Sequence, residues 1–547
     1  MTTLRSPVLA ETPADIAARL LELDRPCWIV RTDDGRIAAT TDDWAIGSGG
    51  QVLTAVPPLP PEQLGDSAFR AAHGVRSAYV AGAMANGIAS PALVIAMAEA
   101  GYLASYGAAG VPPAAVDAAL TEITERLGDK SFACNLIHSP SEPALERAIV
   151  DACLRHGVRC LEASAFMDLT AEVVRYRASG LVPNGQGGID CRNRVIAKVS
   201  RVEVAELFLR PAPVRLLREL VESGQITTEQ AELAGQVPMA DDITVEADSG
   251  GHTDRRPLLV LLPELVAARD RIALTVPSAA AVRIGAAGGI GTPDAAAAAF
   301  ALGAAYIVTG SVNQATREAN QCVATKRLLA TAEFADCTMA PSSDMFELGV
   351  QVQVLRRGTM FAARAHRLYD LYRAYDGIES LPEKVCRELE KNIFRCSLAT
   401  VWRECVSYFT ERDPAQLISA DRNPKARMAL MFRWYLGRSS GWSIHGEADR
   451  VADYQIWCGP AMGGFNSWAA GTYLAVPENR SVADIADELM MGAAYLTRVA
   501  QLRTAGVRLP AECVRYTPRS AGGDHSRTRN GLEADVRRGA ESAIFHQ

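Results

Sequence analysis

The sequence lacks several features that would assign it to other classes of protein. No apolar run reaches the roughly 20 residues of a membrane span, and residues 1–7 carry no basic segment before an apolar core, so we expect neither a membrane partner nor a secretory signal peptide. The twelve cysteines are scattered, without a Cys-x-x-Cys pair or the spacing of a zinc site. We therefore expect reduced thiols, no metal site and a cytoplasmic location.

The chain also lacks an excess of positive charge. A formal net charge of −7 argues against a surface that binds polyanions, so we expect no nucleic-acid partner. With 48% hydrophobic and 22% charged residues, the composition is that of an ordinary folded protein. Because 547 residues exceed the length of one hydrophobic core, we expect two or three structural units. Assembly into a homo-oligomer is left open.

Short apolar runs alternate with helical segments between Tyr79 and Ser311. Each of eight runs has the apolar and small residues typical of strands that are buried on both faces of a parallel sheet. Alternation of this kind predicts βαβ units, and eight of them predict an α/β fold, a closed (β/α)8 TIM barrel. The eight strand candidates begin at residues 79, 102, 132, 158, 194, 243, 282 and 305.

The rest of the chain divides around this barrel. Residues 1–70 predict a small N-terminal appendage and residues 71–320 the barrel, with an insertion at about 200–240. Leu, Ala, Arg and aromatic residues recur at helical spacing in residues 321–510, which predicts a helical lid domain over the C-terminal face of the barrel. Residues 511–547 are rich in Arg, Gly, Ser and Asp, so we expect a disordered tail there.

Glycine-containing turns follow the last two strand candidates. Gly288-Gly289 and Gly310-Ser311 each end a strand and open a helix. A bound phosphate needs backbone N–H groups that no Cβ obstructs, and a helix N-terminus favours its charge. The loops after strands seven and eight are a frequent phosphate site in such barrels. The pattern therefore predicts a phosphate cradle, with ordinary turn chemistry as the alternative.

A histidine follows the sixth strand candidate, on the same face as the cradle. Gly250 and Gly251 precede His252, and two glycines allow a planar ring to lie against the backbone. A neutral imidazole can hydrogen-bond a carbonyl group, and an imidazolium can deliver a proton near neutral pH. We predict a catalytic role for His252, and a structural hydrogen bond is the alternative.

Lys198 and Asn135 end two further strand candidates. A lysine at this edge could stabilise the reduced, anionic form of a cofactor ring, because nearby charge sets cofactor electronics. A salt bridge with Glu162 or Glu246 across the barrel mouth is the alternative role for Lys198. Asn135 could hydrogen-bond a planar heterocycle, and the small residues of Gly82–Asn86 suit a flat ring that lies over the backbone.

Motifs between Gly82 and Ser311 resemble those of a flavoprotein family. Ser249-Gly-Gly-His252, Ala287-Gly-Gly-Ile290 and Thr309-Gly-Ser311 are similar to the FMN-binding (β/α)8 family that contains nitronate monooxygenases and FabK-type enoyl-acyl-carrier-protein reductases. Longer motifs resemble its PfaD branch, the trans-acting enoyl reductases of polyketide and polyunsaturated fatty acid synthases. These motifs include Asn135-Leu-Ile-His-Ser-Pro140, Ala197-Lys-Val-Ser-Arg201, Glu246–Asp254, Asp344-Met-Phe-Glu347 and Asp453–Gly463.

The resemblance implies an FMN-containing enzyme that draws hydride from NADPH. Its substrate would be an enoyl thioester on an acyl carrier protein, and polyketide synthase modules would be partners. His252 falls at the position of the family's active-site histidine, and Lys198 is the second catalytic candidate. The residues expected at the FMN phosphate or ring are Ala83, Met84, Asn135, Lys198, Gly250, Gly251, Gly288, Gly289, Gly310 and Ser311.

One departure from the family pattern bears on the reaction. Val245 stands seven residues before His252, where nitronate monooxygenases carry a glutamine. This departure counts against nitronate chemistry and leaves recognition of the flavin ring to other groups. Two alternatives remain beside the enoyl reductase: a nitronate monooxygenase-like flavin oxidase in which O2 takes the electrons, and a non-catalytic docking protein of a synthase.

Overall fold

The N-terminal unit is a three-stranded antiparallel sheet with one helix beside it. The computed structural model describes residues 9–42, 50–138, 143–185 and 187–518. The strand that begins at Cys27 is the central one, and the strands that begin at Ile37 and Gln51 flank it. The elements of the unit are α1 (Pro13–Leu20), β1 (Cys27–Arg31), β2 (Ile37–Thr40) and β3 (Gln51–Val56).

Eight parallel strands close into a barrel, which confirms the predicted (β/α)8 fold. Thr309 of the last strand pairs with Ala81 of the first, and this pairing closes the ring. The eight barrel strands and the short strands in the loops between them are β4 (Tyr79–Ala81), β5 (Leu103–Tyr106), β6 (Ala133–Ile137), β7 (Cys160–Ser164), β8 (Leu181–Pro183), β9 (Ile189–Cys191), β10 (Arg194–Val199), β11 (Asp242–Glu246), β12 (Gly251–His252), β13 (Arg283–Ala287) and β14 (Ile307–Thr309), of which β8, β9 and β12 lie outside the barrel.

Helices surround this barrel as the alternation predicts. The predicted insertion between the fifth and sixth barrel strands consists of three helices, two of which pack against the helix that follows the fourth strand. The helices are α2 (Ser67–His73), α3 (Pro91–Glu99), α4 (Pro113–Leu127), α5 (Pro143–Arg155), α6 (Ala171–Ser179), α7 (Val202–Leu209), α8 (Val214–Glu222), α9 (Thr228–Ala234), α10 (Leu258–Ala273) and α11 (Pro293–Ala301).

After the eighth barrel strand the chain builds a cap before it returns to the barrel. Two strands of the cap, β15 (Cys337–Pro341) and β16 (Gln351–Leu355), join β12 in an antiparallel sheet of order β12-β16-β15, where the sequence predicts helices only. Runs of five residues within helical surroundings carry too little periodicity to be recognised. The cap elements are α12 (Ser311–Gln314), α13 (Val323–Ala330), β15 (Cys337–Pro341), β16 (Gln351–Leu355), α14 (Phe361–Ala374), α15 (Glu383–Leu389), α16 (Leu398–Arg412), α17 (Pro414–Arg422), α18 (Pro424–His445) and α19 (Ala461–Ala469).

The last long helix, α20 (Val482–Thr504), belongs to the barrel wall and not to the lid that the sequence predicts for this segment. It packs between α11 and α3 and so completes the outer ring of helices. Gly492 allows this close approach, since a Cβ there would lie 2.6 Å from the ring of Pro293. Sequence periodicity shows that a helix has an apolar face, but it does not show which surface that face covers.

A buried arginine on α20 fastens the N-terminal unit to the barrel wall. The guanidinium of Arg498 is fully buried and has no carboxylate partner among the described residues. Burial lowers its pKa below the ordinary value. Its two terminal nitrogens donate instead to backbone carbonyl groups 2.9–3.2 Å away, those of Leu20, Glu22, Leu23, Arg25 and Pro57.

The cap lies over the C-terminal ends of the barrel strands. Asn86, in the loop after β4, donates from Nδ2 to Ser440 Oγ of α18 at 2.7 Å. Gly291, after β13, is so close to the cap that a Cβ would lie 2.3 Å from the carbonyl oxygen of Ala461. In the part of the chain that the structure describes, no helix is long and apolar enough to cross a membrane. The prediction of a disordered tail over residues 511–547 is wrong at its start: Ala511–Val514 form a 3₁₀ helix, and Cys513 is buried and accepts a hydrogen bond from Tyr495 Oη through its carbonyl at 2.7 Å. The rest of the expected tail, from residue 519 onward, lies outside the described residues.

Candidate active site

A strand of the cap holds the histidine that follows the sixth barrel strand. His252 pairs with Val352 of β16, and Gly251 pairs with Gln353. The buried amide of Gln353 donates to Asp248 Oδ1 at 2.8 Å and to the carbonyl of Ser249 at 2.7 Å, so it fixes the loop that leads to His252. The backbone of Gly251 has a φ of +82°, which favours glycine at this position. The position of the imidazole therefore depends on both the barrel and the cap.

The imidazole of His252 contacts two side chains of the cap. Its Nε2 lies 3.2 Å from Asp344 Oδ2 and 3.2 Å from Ser342 Oγ. Burial disfavours the imidazolium, but the hydrogen bond and charge of Asp344, with a smaller effect of Glu246, outweigh it and raise the pKa of His252 above 6.5. Burial raises the pKa of Asp344, but the hydrogen bond and charge of His252, with the hydrogen bond of Ser342, outweigh it and lower this pKa to about 2. His252 is therefore suited to carry a proton near neutral pH.

A lysine and two glutamates form a charged group at the barrel mouth. Lys198 Nζ lies 3.2 Å from Glu246 Oε1, and this salt bridge is the alternative role that the sequence indicates for Lys198. Burial disfavours the ammonium, but Glu246 and then Glu162 attract it, so the pKa of Lys198 is raised above its ordinary value. The side chain stays charged, and it can act on a neighbouring group as a fixed positive charge.

Glu162 is a buried carboxylate in the middle of the fourth barrel strand, β7. Its Oε2 accepts the backbone N–H of Ala83 at 3.2 Å. Its Oε1 has no hydrogen-bond partner among the described residues. Asn135 is also buried, and its amide nitrogen donates to the Glu162 carbonyl at 3.1 Å and to Ser164 Oγ at 3.0 Å. The sequence indicates Glu162 only as a salt-bridge partner, although it closes the fourth strand candidate, which is the same signal that singles out Lys198.

The two glycine turns leave open space beside the backbone. Nothing lies within 4 Å of the position that a Cβ would take at Gly289 or Gly310. Gly288 and Gly289 both have a positive φ, of +86° and +73°, but a Cβ on Gly288 would lie 2.6 Å from the Ala247 backbone. Gly288 therefore permits the tight turn, whereas Gly289 and Gly310 leave room for a bound group. This arrangement is compatible with the predicted phosphate cradle.

The cap contributes a third wall to the predicted cradle. The backbone N–H of Gly459 donates to Ser311 Oγ at 3.0 Å. Gly459 also faces Gly250, because a Cβ on Gly250 would lie 2.9 Å from Cys458 N and 3.0 Å from Gly459 N. The predicted cofactor contact of Gly250 stays a prediction, and the structure gives this residue a packing role against the cap. The motif Asp453–Gly463 was the available sequence signal for this wall.

The arrangement can hold an anionic group at one side of the mouth and transfer a proton at the other. The glycine turns leave room for the anion, and His252 is the group able to give up a proton. Met84 lies in the loop that the Asn86 contact ties to the cap, half-buried beside Ala83. Among the described residues no cluster of side chains has the composition of a metal site.

Known families match two parts of the chain. Residues 71–361, more than half of the chain, match the nitronate monooxygenase family. Residues 375–454 match the inserted helical domain of [acyl-carrier-protein] S-malonyltransferase. The first match covers the barrel and the first part of the cap, and the second covers the helices from α15 to α18.

The relatives of this chain include a synthase subunit and a polyketide biosynthesis protein. The chain is 48% identical over 492 residues to a polyunsaturated fatty acid synthase protein of Thraustochytrium sp., a match of 88% of this chain and 32% of that protein. It is 43% identical over 436 residues to the polyketide biosynthesis protein PksE of Bacillus subtilis, a match of 80% of this chain and 56% of that protein. The chain therefore spans between about a third and just over half of the length of these relatives.

A solved structure shares most of this fold. The enoyl reductase domain of MlnA, from the macrolactin biosynthesis cluster of Bacillus amyloliquefaciens, is 38% identical with a TM-score of 0.78, and the match covers 81% of this chain and all of that one. The chain belongs to the nitronate monooxygenase family, a family of (β/α)8 oxidoreductases. Within that family it groups with the PfaD-type enoyl reductases, as its sequence motifs predict.

Proposed function

We propose that the protein is a trans-acting, FMN-dependent enoyl reductase driven by NADPH. Its substrate would be an enoyl thioester on an acyl carrier protein, during polyketide or polyunsaturated fatty acid biosynthesis. The observation that carries this proposal is the match to the complete enoyl reductase domain of MlnA. The likeness of residues 375–454 to a domain of an acyl-carrier-protein transferase supports a carrier protein as partner, and the named relatives support synthase modules.

The residues at the barrel mouth fit a flavin mononucleotide. Gly288, Gly289, Gly310 and Ser311 would hold the phosphate, and the open space at Gly289 and Gly310 supports this assignment. Ala83, Met84, Asn135 and Lys198 would lie at the ring. The unpaired Oε1 of Glu162 supports a bound group with a hydrogen-bond donor, because a buried carboxylate oxygen without a partner is costly. When bound, FMN supplies hydride transfer from NADPH to the substrate.

His252 would supply the proton that the reduction needs. Hydride addition at the β-carbon places negative charge on the thioester oxygen, and an imidazolium can hydrogen-bond that oxygen or protonate the α-carbon. A positioned acid contributes about 10²–10⁴-fold in rate. The raised pKa of His252 keeps this proton in place near neutral pH. The cap would exclude water from the mouth, which strengthens these interactions.

An assay with carrier-protein substrates tests this proposal. We expect the purified protein to be yellow, to release FMN on denaturation, and to oxidise NADPH when a crotonyl-loaded acyl carrier protein is added. The acyl group should gain two hydrogen atoms by mass spectrometry. A protein without flavin would support the docking alternative, and turnover of a nitronate with O2 in place of the enoyl substrate would support the flavin oxidase.

A further inference from the structure

The contact of His252 with Asp344 and Ser342 joins two parts of the chain. His252 follows the sixth barrel strand, whereas Ser342 and Asp344 follow β15 of the cap, so about 90 residues separate the imidazole from its partners. The side chain of His252 is 34% exposed and that of Asp344 is 50% exposed. The pair is therefore a side-chain contact at the seam between barrel and cap.

The ionisation of Asp344 fixes which imidazole nitrogen carries a proton. With a pKa of about 2, Asp344 is a carboxylate at neutral pH, and a carboxylate only accepts hydrogen bonds. The Ser342 hydroxyl donates to Asp344, so its oxygen lone pair also faces Nε2. Both neighbours of Nε2 are then acceptors, and Nε2 must carry a hydrogen in the neutral and the charged ring alike.

The other ring nitrogen is then the position where a proton can come and go. Within the described part of the chain, Nδ1 of His252 has no hydrogen-bond partner. In the imidazolium Nδ1 carries the second proton, and in the neutral ring Nδ1 is an acceptor. Two further charges act on the ring from the barrel side: Glu246 favours the imidazolium and Lys198 opposes it. These two charges form a salt bridge with each other, so Asp344 provides the larger effect on the ring.

We propose that Asp344 is a positioning residue, supplied by the cap, that keeps the proton of His252 on Nε2 and makes Nδ1 the proton donor of the reaction. This inference rests on the proposed reductase function and names a residue that acts through His252. One consequence is that His252 has its raised pKa and its fixed tautomer only when the cap is seated on the barrel. The cap would therefore both cover the substrate and complete the proton donor.

The test compares three substitutions in the full-length protein with FMN bound. Asp344→Asn keeps the size of the side chain and removes its charge, and its amide can no longer hold Nε2 as the carboxylate does. Asp344→Glu restores the charge. Asp254→Asn is the matched control, because Asp254 lies on the His252 loop but pairs with Arg201 and Ser200. Flavin content and thermal unfolding verify that each variant is folded.

Two readouts are needed. With histidine labelled by ¹³C and ¹⁵N, NMR titration reports the pKa and tautomer of His252, whose signals are assigned by their absence in a His252→Ala sample. This readout does not depend on turnover. We expect Asp344→Asn to lower the pKa of His252 and to move the neutral ring away from the Nε2–H tautomer. In the second readout, kcat/KM for the enoyl substrate should fall by roughly an order of magnitude at pH 8. The loss should be smaller at pH 6, where a larger fraction of the variant's ring is protonated than at pH 8.

The outcomes separate this inference from the proposed function. The inference would be supported if Asp344→Glu restores the pKa of His252 and the value of kcat/KM at pH 8, and if Asp254→Asn changes neither. An unchanged pKa and tautomer in Asp344→Asn would overturn it, whatever the activity. A wild-type protein that shows the expected titration but does not reduce any enoyl thioester would contradict the function and leave the role of Asp344 toward His252 in place.

Discussion

The glycine turn after the seventh barrel strand offers a sharp test of the proposed cofactor site. The backbone of Gly289 has a φ of +73°, and nothing lies within 4 Å of the place that a Cβ would take. Asp and Asn tolerate this left-handed region better than other residues with a side chain. The two side chains have nearly the same size and differ in charge. Gly289→Asn therefore controls for backbone and volume, and Gly289→Asp adds one negative charge beside the proposed phosphate.

The size of the effect follows from Coulomb's law. Two unit charges about 4 Å apart interact by about 4 kcal/mol at an effective dielectric constant of about 20. This energy corresponds to a loss of about three orders of magnitude in affinity. We expect Gly289→Asp to lose FMN on purification and Gly289→Asn to keep most of it. Fluorescence titration of the apoprotein with FMN measures both dissociation constants. If Gly289→Asp binds FMN within a few-fold of Gly289→Asn, the phosphate does not lie at this turn.

Three other substitutions test the histidine, the N-terminal unit and the seam of the cap. His252→Ala should keep FMN and its reduction by NADPH, but stopped-flow absorbance should show that reoxidation of the flavin by the enoyl substrate is at least about 100-fold slower. The control His138→Ala removes the histidine that stacks on Phe166 and should leave this reoxidation rate unchanged. Arg498→Met leaves buried carbonyl groups unpaired at about 1–3 kcal/mol each, so the thermal unfolding midpoint should fall, unlike that of the exposed control Arg387→Met. Gly250→Ala should lower the free energy of unfolding by about 1–3 kcal/mol through overpacking against the cap, and it should increase proteolysis of the cap. Gly441→Ala is the control, since nothing lies within 4 Å of its Cβ position. An unchanged unfolding midpoint or digestion pattern in Gly250→Ala would contradict the close packing.

The barrel was predictable because its strands are buried on both faces and separated by regular helices. All eight strand candidates are strands of the barrel, and most boundaries differ by one or two residues. The cap was less accessible to prediction. One of its two strands, β16, pairs with β12, which has only two residues, and so short a strand leaves no periodic pattern. The placement of α20 against α11 and α3 depends on tertiary packing, which an apolar pattern does not specify.

In the candidate site, too, the residues that local sequence patterns reveal were predicted, and those brought in by tertiary packing were not. His252 and Lys198 were found because each closes or follows a strand, and parallel strands bring such ends to one edge. Asp344, Ser342 and Gly459 reach the mouth only through the docking of the cap, so their chemistry had no local signal. Two of the motifs that carry the family resemblance, Asp344-Met-Phe-Glu347 and Asp453–Gly463, include Asp344 and Gly459 without indicating what they contact.

The position of α20 in the barrel wall has a consequence for synthesis of the protein. The eighth barrel strand ends at Thr309, and the helix that closes the wall begins only at Val482, more than 170 residues later. At about 5–20 residues per second, a ribosome needs roughly 10–35 s to add this stretch. During that interval the apolar sides of α11 and α3 have no native cover. The nascent barrel therefore exposes apolar surface until the cap and α20 have been synthesised. We expect chaperones to bind the chain in this interval, and aggregation during heterologous expression to begin there.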